Sequence, residues 1–215
     1  MKKLILCAFA AVLFSCSSDE NSNDNDNAPE SGAAYMKGKM DNTTFDYTVN
    51  NNSSDTFAYS AASGYGALDL ERWYYYAGVI TNFNPPTLAP QMIIGWNNMF
   101  YGPNGNEAEE TAAFYDTVAT LPTNFLTAAQ DDAHMQGLTI DFKAADGTHY
   151  STMNGSQTGS SLTVDGSTQG STAVGAQKTK TVWGTFTCKL YNDDDPTDVI
   201  VVTDGKFKII LSEYM

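Results

Sequence analysis

The run Glu71-Arg72-Trp73-Tyr74-Tyr75-Tyr76 sets four aromatic rings side by side. In a strand, side chains alternate between faces, so Trp73 and Tyr75 point one way and Tyr74 and Tyr76 the other. One pair is expected to enter the core. The opposite pair then makes a flat aromatic platform, able to stack on apolar sugar faces or to anchor a protein interface. The alternative is that both faces are buried and the tyrosines only stiffen the sheet.

A second group is the acidic turn Asn192-Asp193-Asp194-Asp195-Pro196-Thr197-Asp198. Hard carboxylate oxygens in a short loop suit Ca²⁺, which makes Asp193, Asp194, Asp195 and Asp198 candidate ligands. The turn lacks the glycine and the distant glutamate of an EF-hand loop, and a solvated turn is the competing reading. His134 and His149 are the two histidines, with no Cys or Glu at ligand spacing, so no zinc site is expected. Asp131 and Asp132 precede His134, but acid–base work by paired carboxylates needs a cleft and shifted pKa values. No Gly-x-Ser-x-Gly, His-Glu-x-x-His or phosphate-binding glycine loop occurs, and no cofactor is expected. Cys188 shares an alternating face with Phe186 and Leu190 in TFTCKLY, which predicts a buried, inert thiol.

These residues must be positioned by strands. From residue 35 onward the chain is rich in Thr, Tyr, Val, Ile and Phe, punctuated by Gly and Asn. Strands are predicted over 35–40, 43–49, 56–60, 71–81, 91–96, 137–143, 149–153, 161–164, 179–191, 198–203 and 206–211. Asp41-Asn42 is a turn signal, Asn84-Pro85-Pro86 a breaker, and Asp146-Gly147 and Asp204-Gly205 read as hairpin turns. Residues 107–120 (EAEETAAFYDTVAT) carry acidic residues in a first turn and Phe114 and Val118 four apart. They predict one short helix, stopped by Pro122. Segment 154–177 is mostly Gly, Ser, Thr and Gln and reads equally as edge strand or loop. The fold class expected is mainly β: an antiparallel β-sandwich or barrel-like domain with one helical insertion over residues 35–215.

What precedes that domain has a different texture. Lys2 and Lys3 are followed by the uncharged apolar stretch Leu4 to Phe14, which suits a signal peptide and is too short to span a bilayer. It ends in Leu13-Phe14-Ser15-Cys16, which resembles the lipobox of bacterial lipoproteins. That resemblance implies a signal peptide over 1–15, lipidation of Cys16, and attachment to a membrane through acyl chains; two or more such chains hold a protein stably. Residues 17–34 (SSDENSNDNDNAPESGAA) contain no large apolar side chain and are expected to form, with Cys16, a disordered acidic tether. Ser18-Asp19-Glu20 resembles the acidic export signal of Bacteroidota surface lipoproteins, implying an outer-membrane and cell-surface address.

Composition narrows the partners. The chain has 215 residues, with 11 basic against 25 acidic side chains and a net charge of −14. Loss of Lys2 and Lys3 with a signal peptide makes the balance more acidic still. Such a charge argues against nucleic acid, and against broad electrostatic binding to anionic lipid. With Cys7 in the signal and Cys16 lipidated, Cys188 has no disulfide partner, so stability must come from a core.

A second resemblance runs through most of residues 35–212. Met36-Lys37-Gly38-Lys39-Met40-Asp41, Trp183-Gly184-Thr185-Phe186 and Val202-Thr203-Asp204-Gly205-Lys206-Phe207 resemble Bacteroidota lipoproteins that carry a β-sandwich domain of unassigned activity. It implies the fold and the anchor and carries over no catalytic residue. The functional expectation is a membrane-anchored, non-enzymatic binding or envelope-assembly module. Its partner would be a glycan or another envelope protein. The alternative is a carboxylate-dependent hydrolase on the same scaffold.

Overall fold

Alternation of apolar and polar residues does organise this chain into strands. The computed structural model describes residues 33–50, 56–68, 71–82, 88–102, 114–172 and 177–213, without the side chains of 64–68, 71–73 and 100–102. It places ten strands among the described residues: β1 (Ala34–Met40), β2 (Thr43–Val49), β3 (Phe57–Leu68), β4 (Glu71–Asn82), β5 (Gln91–Gly102), β6 (Gly137–Lys143), β7 (His149–Ser151), β8 (Ser161–Ser171), β9 (Lys178–Asn192) and β10 (Val199–Ser212). They form one antiparallel sheet in the order β2-β1-β10-β9-β7-β6-β5-β4-β3, with β8 branching from β9.

This sheet curls until its two ends meet, giving a nearly closed barrel. A twisted sheet of this width buries one face only by wrapping around it. At the seam, the Tyr47 ring of β2 lies 4.8 Å from the Phe57 ring of β3. Beside it, the Tyr59 hydroxyl of β3 accepts from the Ile210 N–H of β10 at 2.8 Å and donates to the Ile210 carbonyl. A side chain thus occupies the backbone groups that a neighbouring strand would otherwise pair. Gly78 of β4 permits the approach, since a Cβ there would stand 2.6 Å from the Ile209 side chain.

The inner face carries the core. Trp96, Phe114, Phe186, Phe207, Met36, Met92, Ile140 and Leu190 are fully or almost fully buried. Each such side chain contributes roughly 1.5–3 kcal/mol of transfer free energy. The Trp96 indole N–H is satisfied by the Pro122 carbonyl at 2.9 Å. Cys188 lies among these residues as its alternation predicts, and burial pushes its thiol well above the usual range.

Two turn signals act as read. Asp41 and Asn42 both adopt positive φ between β1 and β2, and the β6–β7 hairpin is closed by the Ala144 N–H donating to the Thr148 carbonyl and the Gly147 N–H donating to the Ala144 carbonyl. Asp204-Gly205 does not act as a turn. The expected strands 198–203 and 206–211 are one strand, β10, with a bulge where the register shifts between Val202 and Gly205. Asp204 keeps the left-handed φ of 53° that suggested a turn. It is spent on a bulge because β1 and β9 flank β10 on both sides and continue past it. Gly38 of β1 is the single residue facing the two extra residues of that bulge, Asp204 and Gly205, and a Cβ there would sit 2.9 Å from the Thr203 carbonyl oxygen.

The helical content also differs from expectation. Residues 107–113 lie outside the described residues; α1 covers Phe114–Thr117, with Phe114 and Val118 both buried. A second helix, α2 (Ala128–Asp132), was not expected, so the described residues hold two short helices rather than one. Its signal was present: Thr127 and Gln130 form a reciprocal capping box. The strand expected over 149–153 ends at Ser151 and gives way to a 3₁₀ turn at Thr152–Asn154, and of segment 154–177 the residues Ser161–Ser171 form the edge strand β8, with 173–176 outside the described residues.

Candidate functional site

The aromatic run divides as alternation requires. Tyr74 and Tyr76 take the core face, 4% and 3% exposed, with their rings stacked 5.8 Å apart. Tyr76 also meets Phe114 edge-on at 5.5 Å. These two rings are therefore structural, and no platform is built from them. Tyr75, on the outer face, is partly exposed. The side chain of Trp73 lies outside the described part. Tyr75 leans across Gly95 of β5, where a Cβ would stand 2.9 Å from its ring and 3.4 Å from the Thr139 hydroxyl. Gly95 thus leaves a slot in which a tyrosine lies along the outer sheet.

Two cross-strand rows adjoin that ring. Gln91, Lys143 and His149 are directly opposite one another across β5, β6 and β7; Ile93, Asp141 and Ser151 form the next row. Directly opposed residues share a face, and residues two apart on a strand stand about 7 Å apart. Ile93 and Asp141 are thus the neighbours of Gly95 and Thr139 beneath Tyr75. Together with Asp193, these two rows line a cleft of about 250 Å³.

Within the cleft the polar groups are held in place. Asp141 is partly buried, and burial is the main cause that raises its pKa. The hydrogen bond from Ser151 opposes that shift, while nearby Asp193 adds to it. The Ser151 hydroxyl also accepts from the Met153 N–H at 3.2 Å. Asp193 is fixed from two sides: its N–H donates to the His149 carbonyl at 2.9 Å and its carboxylate accepts from Asn154 at 2.7 Å. A carboxyl held toward its protonated form serves as donor and acceptor at once, which suits ligand hydroxyls.

The other candidate residues are distributed differently. Asp193, Asp194, Asp195 and Asp198 do not converge. Asp195 accepts from both the hydroxyl and the N–H of Thr197, and Asp198 accepts from Tyr150 at 2.9 Å and from Asn192 at 3.0 Å. Among the described residues no three His, Cys, Asp or Glu side chains come together as a metal site requires, so the turn is held by its own donors. Asp131 binds the Asn98 amide at 2.9 Å and stands at the end of α2, not in a pair with Asp132. Cys16 and the N-terminal segment lie outside the described residues.

Sequence reasoning pointed to Asp193, His149 and Tyr75 but not to Asp141, Ser151, Gln91 or Lys143. A signal did exist for Asp141: a carboxylate in the middle of the apolar strand Leu138-Thr139-Ile140-Asp141-Phe142. Comparison with known proteins adds no relative, as no family model matches the chain and no match is found among curated proteins or solved structures.

Proposed function

We propose that this chain is an outer-membrane lipoprotein, acylated at Cys16 and displayed at the cell surface, whose β-domain binds a ligand without turning it over. The anchor rests on Lys2, Lys3, the apolar stretch Leu4 to Phe14 and the Leu13-Phe14-Ser15-Cys16 junction. Binding rests on one observation: a cleft is lined by Gln91, Asp141, Lys143, His149, Ser151 and Asp193 around Ile93, and the partly exposed Tyr75 ring lies over the next cross-strand row, Gly95 and Thr139. An aromatic face beside convergent hydroxyl-binding groups is the arrangement that holds a sugar ring. The cleft lies just under the roughly 300–1,000 Å³ of sites for drug-sized ligands, which suits a single sugar unit of a glycan.

The test is calorimetric titration of a panel of mono- and oligosaccharides. Tyr75→Ala and Asp141→Ala should each weaken binding about ten-fold or more, the loss expected when a stacking ring or a buried hydrogen-bonding group is removed. Tyr74→Phe, on the core face, should leave affinity unchanged. Equal affinities for all four proteins would refute the site.

A second reading has one observation in its favour. Burial, with a smaller contribution from nearby Asp193, raises the pKa of Asp141, and two neighbouring carboxyl groups in a cleft are what acid–base hydrolysis uses. Product release from any bound glycan, abolished in Asp141→Asn with the fold intact, would replace binding by hydrolysis.

A further inference from the structure

One acceptor on the strand that floors the cleft has nothing to accept. The side-chain Oδ1 of Asn97 is closed off from solvent and has no hydrogen-bond partner. Such a group destabilises a fold unless a ligand or an ordered water supplies the donor. The neighbouring Asn98 is already engaged, its amide donating to the Asp131 carboxylate at 2.9 Å and to the Met135 carbonyl at 3.1 Å. Directly opposite Asn97 on β6 is Gly137, which has no side chain to offer.

Asn97 lies in line with the cleft. On β5 the outward residues run Gln91, Ile93, Gly95 and Asn97; the first two line the cleft, and Tyr75 lies over the third. Tyr75 also faces the Asn97–Asn98 step, because the register of β4 and β5 shifts between the pairs Tyr76–Trp96 and Tyr74–Met99. From Ile93 to Asn97 the strand advances roughly 13 Å. A single sugar unit held at Asp141 and Ser151 therefore leaves Tyr75 and Asn97 uncovered, while a second unit joined to it meets both. The α2 segment borders the same ground. Asp131 acts on Asp141 through space, and a Cβ at Gly137 would stand 2.5 Å from the Leu126 side chain, just before α2. α2 itself buries no residue and is tied to β5 through Asn98, the kind of segment that opens locally.

We infer that Tyr75 and Asn97 form a second sugar subsite beyond the cleft, so that the ligand is a saccharide chain of at least two units lying along β5. One unit fills the cleft at Asp141 and Ser151. The next stacks on Tyr75 and donates a hydroxyl to the Asn97 Oδ1 as α2 lifts. This inference rests on the glycan-binding reading and adds to it the length and direction of the bound chain.

Calorimetric titration of the full chain with matched sugar series tests it: glucose, cellobiose and cellotriose; mannose, mannobiose and mannotriose; N-acetylglucosamine and chitobiose. Within a series that binds, affinity should rise about ten-fold from one unit to two, the gain from a stacked ring and a satisfied acceptor. Asn97→Ala and Asn97→Val should each cut that rise to less than about three-fold, and Tyr74→Phe, on the core face, should keep it. A monosaccharide that binds with no rise on lengthening, or a rise that survives both Asn97 substitutions, would overturn the second subsite and leave the cleft reading standing. Binding of none of these sugars would sink that reading and the subsite with it. Stability gives an independent readout. Removing an acceptor that has no donor should leave the urea midpoint of Asn97→Ala or Asn97→Val unchanged or higher. A lower midpoint in both would make the amide part of the fold's own bonding and would overturn the inference.

Discussion

Removing one oxygen atom from Tyr59 should loosen the closure of the barrel. The hydroxyl serves both backbone groups of Ile210, 151 residues away. In Tyr59→Phe the ring still fills its place, so the change is confined to the two hydrogen bonds. A buried backbone group left without a partner costs about 1–3 kcal/mol. Two such groups, at a site that is only partly buried, give a loss of roughly 2–4 kcal/mol. For a domain of this size each kcal/mol moves the melting temperature by about 2–4 °C. The urea midpoint should fall with an unchanged m-value, because the surface exposed on unfolding is the same. Alkaline pH supplies a second readout. Burial raises the pKa of Tyr59 well above that of a free tyrosine, so the native chain keeps a proton that the unfolded chain loses above about pH 10. Stability therefore falls as pH rises through that region, and part of the fall should vanish in Tyr59→Phe. Cys188 and Tyr47, also raised by burial, contribute equally in both proteins. An unchanged midpoint together with an unchanged alkaline slope would show that the seam holds without this hydroxyl.

The remaining predictions address the cleft, the branch strand, the cap and the anchor. Burial raises the Asp141 pKa, so native stability drops as pH rises above about 4, where the unfolded chain gives up the same proton. Asp141→Asn should therefore raise stability at pH 7 by on the order of 1 kcal/mol while binding is lost; a lower melting temperature would make the carboxylate structural. A Cβ at Gly184 would stand 1.9 Å from the Thr163 carbonyl oxygen on β8. Gly184→Ala should cost more than about 3 kcal/mol or release β8 to rapid hydrogen exchange, and a native melting curve with β8 still protected would contradict that. Thr127→Ala breaks the capping box of α2 and should cost about 1 kcal/mol in denaturant titration; no loss would mean that packing alone holds the helix. Cys16→Ala should abolish incorporation of labelled fatty acid and release the chain from the membrane fraction, and continued labelling would disprove acylation at that residue.

Local chemistry was legible where the deciding interactions are local. Alternation places Phe45 and Val49 on the inner face of β2, whose bounds match those read from sequence. Asp41-Asn42 and Asp146-Gly147 turn the chain because they accept φ values that other residues resist. Asp204-Gly205 has the same chemistry and a different outcome. A left-handed residue makes either a turn or a bulge, and the choice belongs to the flanking strands.

The division of the aromatic run into two faces follows from period two alone. Which face goes inward does not, because it depends on the register of β4 against β5 and on Phe114 arriving to cover Tyr76. The cleft escapes the sequence for the same reason. Gln91, Asp141, Ser151 and Asp193 come from three strands and a turn, and only cross-strand register brings them to one place. Sequence by itself determined the strand periodicity, the acidic balance and the lipobox pattern ahead of the domain. Tertiary structure alone decided the nearly closed sheet, the hydroxyl at its seam and the cross-strand rows of the cleft. The physical reason is separation along the chain: propensity acts over a few residues, while Tyr59 with Ile210, or Lys37 with Lys206, meet only once the whole sheet has formed.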